Sequence, residues 1–267
     1  MDKWIIPKKY CKLREWVNVK KLNWGNDYLW GLSLNPNAIN LLENKKYKIN
    51  WMWLSENSNA IELLLKNKNK IDWRFLSKNS NAISILELNY DKINWHWLSL
   101  NPNAIEILKK NEKHIDWQML SLNPNAIELL EKNLDKICWN NLSMNANAIE
   151  ILEKNWNKIN WEYLSVNPNA IKLLNENWDK IEWNWLSRNL SAILLLENNL
   201  NKINWKMISR NPSAIWLLEK NQDKIDWRHL SENPAIFTYD YPKIKKEREQ
   251  LNKELIEYIY HPSRVFC

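Results

Sequence analysis

Two glycines in 267 residues leave this chain little backbone that reaches positive φ without strain. That argues against a hairpin-rich all-β fold and against glycine-rich phosphate loops. The three cysteines, Cys11, Cys138 and Cys267, are odd in number, far apart and in no metal spacing, so neither a disulfide framework nor a zinc site is expected. No run approaches the ~18 apolar residues of a membrane span, and the N-terminus has no signal-peptide core. The expectation is a soluble intracellular protein. Enzyme motifs are also missing: there is no H-E-x-x-H, no G-x-S-x-G and no Cys–His pairing at usable spacing. The four histidines are His96, His114, His229 and His261. Of these, only His229 and His261 could approach each other, near the C-terminus, and a surface role is the simpler reading. No catalytic residue, cofactor, metal or small-molecule substrate is expected.

The net charge is +7, and it is unevenly spread. Residues 1–26 carry seven Lys/Arg against two Asp/Glu, whereas residues 27–236 carry 25 against 24. A nucleic-acid binder usually carries a basic stripe on its binding face, and the body of this chain is nearly neutral.

What the chain has in excess is tryptophan, 19 residues in all, and the tryptophans keep time. Trp51, Trp73, Trp95, Trp117, Trp139, Trp161, Trp183, Trp205 and Trp227 recur every 22 residues within I-x-W-x-x-L-S-x-N-x-N-A-I-x-L-L-x-x-N-x-x-K. The serine column runs unbroken from Ser33 to Ser231, and an asparagine column from Asn35 to Asn233. A fixed period of this size marks a stacked-repeat architecture.

Each unit reads as two helices. The first opens on a cap such as Asp72, with Trp73 at N1 and Ile71 set to staple against Leu76. Seven of the nine cap positions are good; Cys138 and Glu182 depart, so their helices should start less firmly. The second is expected to open on the Asn of S-x-N-P, as at Asn101-Pro102. It should end near Asn111, with that asparagine in the left-handed conformation of a helix C′ residue. A leucine-rich-repeat horseshoe is disfavoured, because K-I-x-W is too short for its strand.

One such unit has too little apolar area to fold alone, and stacking supplies the rest. The fold class is therefore all-α: a right-handed or superhelical α-solenoid of ten 22-residue two-helix repeats with terminal caps. At helix-packing distances it predicts a curved rod about 80–100 Å long. Residues 1–26 read as the N-terminal cap, 27–236 as the ten-repeat solenoid and 237–267 as a C-terminal capping helix and tail. Leu22-Asn23-Trp24 resembles the repeat entry, five residues early. Asn233-Pro234-Ala235-Ile236 has lost one residue of N-P-N-A-I. An amphipathic helix then opens at Asp240-Tyr241-Pro242, with Ile244, Leu251, Leu255, Ile256 and Ile259 on its apolar side. It is expected to lie across the last repeat.

The W-x-x-L-S-x-N-P-N-A-I-x-L-L repeats, the closing segment from Asn233 to Tyr241, and a charged helix ending His261-Pro262-Ser263-Arg264 resemble repeat proteins encoded in many copies by giant DNA viruses of amoebae. The resemblance spans nearly the whole chain, although the extra residues after Trp24 depart from it. It implies host cytoplasm, viral factory or virion as the setting, and no particular activity.

Function in a repeat protein is written where the scaffold does not dictate the residue. The tryptophan column reads as a core ladder rather than a stacking platform for bases, so losing one Trp should cost about 3–5 kcal/mol. The serines are expected to bond the turn between the two helices. The basic column Lys48, Lys70, Lys92, His114, Lys136, Lys158, Lys180, Lys202 and Lys224 reads as turn charges near helix C-termini. It also offers the alternative of a nucleic-acid binder that uses Lys70, Lys92, Lys136, Lys158, Lys180, Lys202, Lys224 and the basic N-terminus. The residue after each Trp varies without common chemistry. Four consecutive apolar members, Leu134, Trp156, Trp178 and Leu200, stand out just past the second helix, and Leu194 and Trp216 interrupt another polar column. Exposed apolar patches tend to bind something. These six residues mark the candidate site of a non-enzymatic protein-interaction scaffold whose partner is a host or viral protein, or itself. The opposing reading is that the column is half-buried at the repeat junction.

Overall fold

The computed structural model describes residues 4–22, 30–43 and 48–259. Asn23 and Trp24 of the early repeat entry, the terminal His261 to Arg264 and Cys267 lie outside them. The all-α repeat solenoid is there. Counting repeats by their serines, from Ser33 in repeat 1 to Ser231 in repeat 10, repeat 4 illustrates the unit. Its helices are Trp95–Leu100 and Ile105–Lys109, followed by a single 3-10 turn, Glu112–His114. The first helices start as expected. Asn50, Asp72, Asn94, Asp116, Asn160, Asn204 and Asp226 each accept a backbone N–H of the first turn through the side chain, and Cys138 and Glu182 do not.

Two details of the second helix differ from expectation. It begins at Ile105, not after Asn101; Asn101 closes the first helix and then accepts the Asn103 N–H at 3.0 Å, turning the chain toward the second. At the far end Asn111 has φ −137°, so it is not left-handed. Its side-chain amide donates instead to the Ile107 carbonyl at 2.8 Å, satisfying an orphan carbonyl of the last turn. Asn67, Asn89, Asn133, Asn155, Asn177, Asn199 and Asn221 do the same.

The buried polar columns stitch repeat to repeat. Each column asparagine donates from Nδ2 to two carbonyls of the preceding repeat: Asn145 reaches Ser121 O at 3.0 Å and Asn123 O at 2.9 Å. The serine hydroxyls bond the first helix and the next repeat rather than the turn between the two helices. Ser121 Oγ donates to Trp117 O at 2.7 Å and accepts the Cys138 N–H of the next repeat at 3.0 Å. Leu120, Ala126 and Leu130 and their equivalents fill the space between, with almost no exposed surface.

The largest departure is at the ends, where the expected open rod is replaced by a closed ring. Asn35 of repeat 1 donates to Ser231 O and Asn233 O of repeat 10, both at 3.0 Å, the bond pair found at every internal junction. Asn37 adds a bond to Pro234 O at 3.0 Å. Repeat 10 keeps its first helix, Trp227–Leu230, but has no second; the chain runs instead into β2 (Phe237–Tyr239). That strand pairs antiparallel with β1 (Cys11–Leu13), matching Cys11 to Tyr239 and Leu13 to Phe237. Residues 4–22 thus supply the outer half of repeat 10, burying Ile6, Val17 and Leu22. Lys21 Nζ sits 4.9 Å over the Trp227 ring, as the column lysines sit over other repeat tryptophans. Gly31 is required here: a Cβ would fall 1.7 Å from Ser231 Oγ and 2.9 Å from its Cβ. Ten repeats in one full circle turn the chain by about 36° each.

At the first four junctions, such as that between Trp51–Glu56 and Trp73–Lys78, and at that between Trp139–Met144 and Trp161–Leu164, the first helices pack directly on one another, and no two neighbouring second helices among the described residues come as close. In a circle the closer spacing belongs to the shorter radius, so the first helices form the inner wall. The 3-10 turns follow along one rim and the Ser-x-Asn turns along the other. The C-terminal helix, Tyr241–Ile259, does not lie across the last repeat, since none of its residues is buried.

Candidate protein-binding rim

The rim of 3-10 turns gathers three of the columns singled out in the sequence. The second helix ends on its capping asparagine, which fixes where the turn starts. The first residue of the turn is the variable one and the third is the basic one, as in Trp178–Lys180. The tryptophan of the following helix lies beside them. These repeat tryptophans are half-buried and packed against the core, so they are a ladder with one open face.

The basic column closes that face. Lys92, Lys136, Lys180, Lys202 and Lys224 place Nζ 4.6, 4.6, 4.4, 4.2 and 4.8 Å from the ring centroids of Trp73, Trp117, Trp161, Trp183 and Trp205 at the start of the same repeat. A cation over an indole face is attracted by the ring quadrupole. His114 occupies the same place over Trp95, stacked at 4.6 Å and 16°, which explains a histidine in a lysine column. Lys70, Lys92, Lys136, Lys158, Lys202 and Lys224 remain exposed, and Lys180 is half-buried.

The apolar stripe lies on the same rim. Leu134, Trp156, Trp178 and Leu200 are 46, 43, 44 and 45% exposed. Trp156 meets Trp161 edge-on at 5.3 Å, and Trp178 meets Trp183 likewise at 5.3 Å. Trp156 and Trp178 are thus half committed to the tryptophan that opens the next repeat, and all four stripe residues are half open to solvent. Both sequence readings of this column describe part of it. Leu194 and Trp216 are elsewhere. They sit on the second helices Ile193–Glu197 and Ile215–Lys220, Leu194 74% exposed and Trp216 half-buried under Lys220.

Sequence reasoning passed over the inner wall. Where the second residue after the repeat Trp is aromatic in successive repeats, the rings meet across the junction: Trp53 edge-on to Phe75 at 5.1 Å, Phe75 stacked on Trp97 at 6.2 Å, Tyr163 tilted against Trp185 at 5.6 Å. The aromatic bias of that column was a usable signal. The residue after each Ser forms a second belt, apolar from Leu100 to Val166 and charged near the seam. There Arg210 bonds Glu232 at 2.9 Å and Lys78 pairs with Glu56. Burial pushes the Glu232 carboxyl up to about 7 against the pull of Arg210, Arg188 and Arg228.

The folded value of Glu232 lies above the usual 4.5. Its contribution is therefore fully present below about pH 4.5 and is lost as pH rises through about 7. Relative to Glu232→Gln, the wild type should lose about 2–3 kcal/mol between about pH 4.5 and pH 8. Urea midpoints of both proteins across that range check this, and parallel pH profiles would contradict it.

Among the described residues no group of three His, Cys, Asp or Glu side chains could hold a metal ion, and no helix is long and apolar enough to cross a membrane. Comparison with protein-family models, with curated proteins and with solved structures finds no match.

Proposed function

We propose that the ring is a non-catalytic binding module that takes a protein partner on the rim carrying Leu134, Trp156, Trp178 and Leu200. The observation that carries this reading is four consecutive repeats presenting apolar side chains at 43–46% exposure. They are held in fixed places by the turns, the capping asparagines and, for the two tryptophans, the rings behind them. Aromatic side chains already immobilised lose little entropy on binding, which is the property of interface anchors. The nucleic-acid alternative draws on the lysine column. Five of its ammonium groups already cover tryptophan faces, and the repeat body is nearly neutral, both of which favour the protein reading. By its resemblance to the giant-virus repeat proteins, we place the module in an infected cell, with a host or viral partner.

The test is a pull-down from infected-host lysate with and without nuclease, at low and high salt. It compares the wild type with Trp156→Ser/Trp178→Ser, shown folded by circular dichroism. A protein that survives nuclease and salt, is lost with the variant, and binds the purified ring directly is the expected result. Recovery of nucleic acid that salt releases and the variant leaves unchanged would overturn the reading in favour of the lysine column.

A further inference from the structure

The helix Tyr241–Ile259 leaves the ring with its apolar side bare. Asp240 caps it, its side chain accepting the Lys243 N–H at 3.3 Å. Its first two turns are tied to the N-terminal segment. Lys243 Nζ donates to Lys9 O at 2.8 Å, Tyr10 Oη donates to Glu247 at 3.0 Å, and Lys9 pairs with Glu247 at 2.7 Å. Every residue from Gln250 to Ile259 is exposed. Leu251, Leu255 and Ile259, at 63, 54 and 52%, fall on one face at helical spacing, in line with the half-buried Ile244. A helix of this length with nothing buried is marginal in water, because helix stability comes chiefly from packing an apolar face. The i,i+4 pairs Lys245–Glu249 and Lys253–Glu257 add only tenths of a kcal/mol.

The charges indicate what covers that face. The proximal half carries Lys243, Lys245, Lys246 and Arg248 against Glu247 and Glu249, and it stands beside exposed Lys8 and Lys9 of the ring. The distal half carries Glu254 and Glu257 against Lys253. The helix is therefore cationic at its base and anionic toward its end, with the exposed apolar residues in the anionic half. An anionic lipid surface suits such a helix poorly, since interfacial helices surround their apolar face with Lys and Arg. A second copy of the same helix suits it when reversed, because each anionic end then lies along a cationic base while the leucines meet at the crossing.

We propose that this helix pairs antiparallel with its counterpart in a second copy of the chain, joining two rings. This does not rest on the rim reading and involves none of its residues. The test is sedimentation equilibrium of the full chain over a wide concentration range. The expected result is a dimer that Leu251→Glu/Leu255→Glu converts to monomer without changing the ring's circular dichroism. A second variant, Glu254→Gln/Glu257→Gln, is expected to weaken the dimer severalfold, because it removes the anionic ends that face the bases. A wild type monomeric at every concentration, or a dimer that the leucine variant leaves intact, overturns the proposal. A dimer strengthened by the glutamine variant overturns the antiparallel pairing, since that result requires like ends to lie together.

Discussion

Replacing Asn145 by leucine is expected to destabilise the ring by about 3–5 kcal/mol, measured as a lowered urea midpoint. Asn145 is 2% exposed, and its side chain makes three hydrogen bonds. Nδ2 donates to Ser121 O and Asn123 O, and Oδ1 accepts the Asn147 N–H at 3.0 Å. Leucine has the same branched skeleton and is bulkier, so the loss is not a cavity effect. It leaves two carbonyls and an N–H without this partner at the junction, and an orphaned buried polar group costs about 1–3 kcal/mol. The natural comparison is Asn169→Ala. That amide makes one exposed inter-repeat bond, to Ala146 O at 2.8 Å. Serine stands at the equivalent positions 191 and 213, and about 1 kcal/mol or less is expected there. Equal effects at the two sites would mean that apolar packing, not the amide column, holds neighbouring repeats in register.

Much of this was legible in the sequence, and the misses share a cause. The period, the first-helix caps and the two missing caps at Cys138 and Glu182 depend on residues a few positions apart, and local pattern reports them well. The asparagine column was visible as a column. Its role was not, because the carbonyls it binds lie 22 and 24 residues away. Asn111 was misread because a side-chain amide can satisfy the last carbonyls as well as a left-handed backbone can. Curvature was beyond reach, since a fixed period says nothing about how far inner and outer spacings differ. Closure nevertheless left marks. Lys21-Leu22 belongs to the K-I-x-W entry, and the residue missing between Asn233 and Ile236 is where repeat 10 gives up its second helix. At the rim, the stripe was found by its departure from polar neighbours. The lysine–tryptophan pairing behind it was missed, because the partners lie 19 residues apart, at opposite ends of the repeat.

Closure leads to the second large effect. Cys11 and Tyr239 face each other across β1 and β2. The flanking bonds Asp240 N–H to Tyr10 O at 2.7 Å and Arg14 N–H to Ile236 O at 2.9 Å place them at a non-hydrogen-bonded site. Cα atoms at such a site are about 4.5 Å apart, within disulfide range. Tyr239→Cys should therefore close a bond to native Cys11 across a loop that takes in nearly the whole chain. Chain-entropy reasoning puts its stabilisation against urea, oxidised over reduced, at about 5 kcal/mol. The bond should form slowly without a catalyst, because burial pushes the Cys11 thiol up to about 11 and leaves little thiolate at neutral pH.

Formation of that bond is the most direct test of the ring. With Cys138 and Cys267 changed to serine, Tyr239→Cys is oxidised with a copper catalyst in dilute native solution and digested without reduction. The ring predicts near-complete intramolecular linkage between the peptides containing positions 11 and 239, and none when the chain is first unfolded in urea. Thiols that stay free, or that link only between chains, would mean that the ends do not meet and that the solenoid is an open rod.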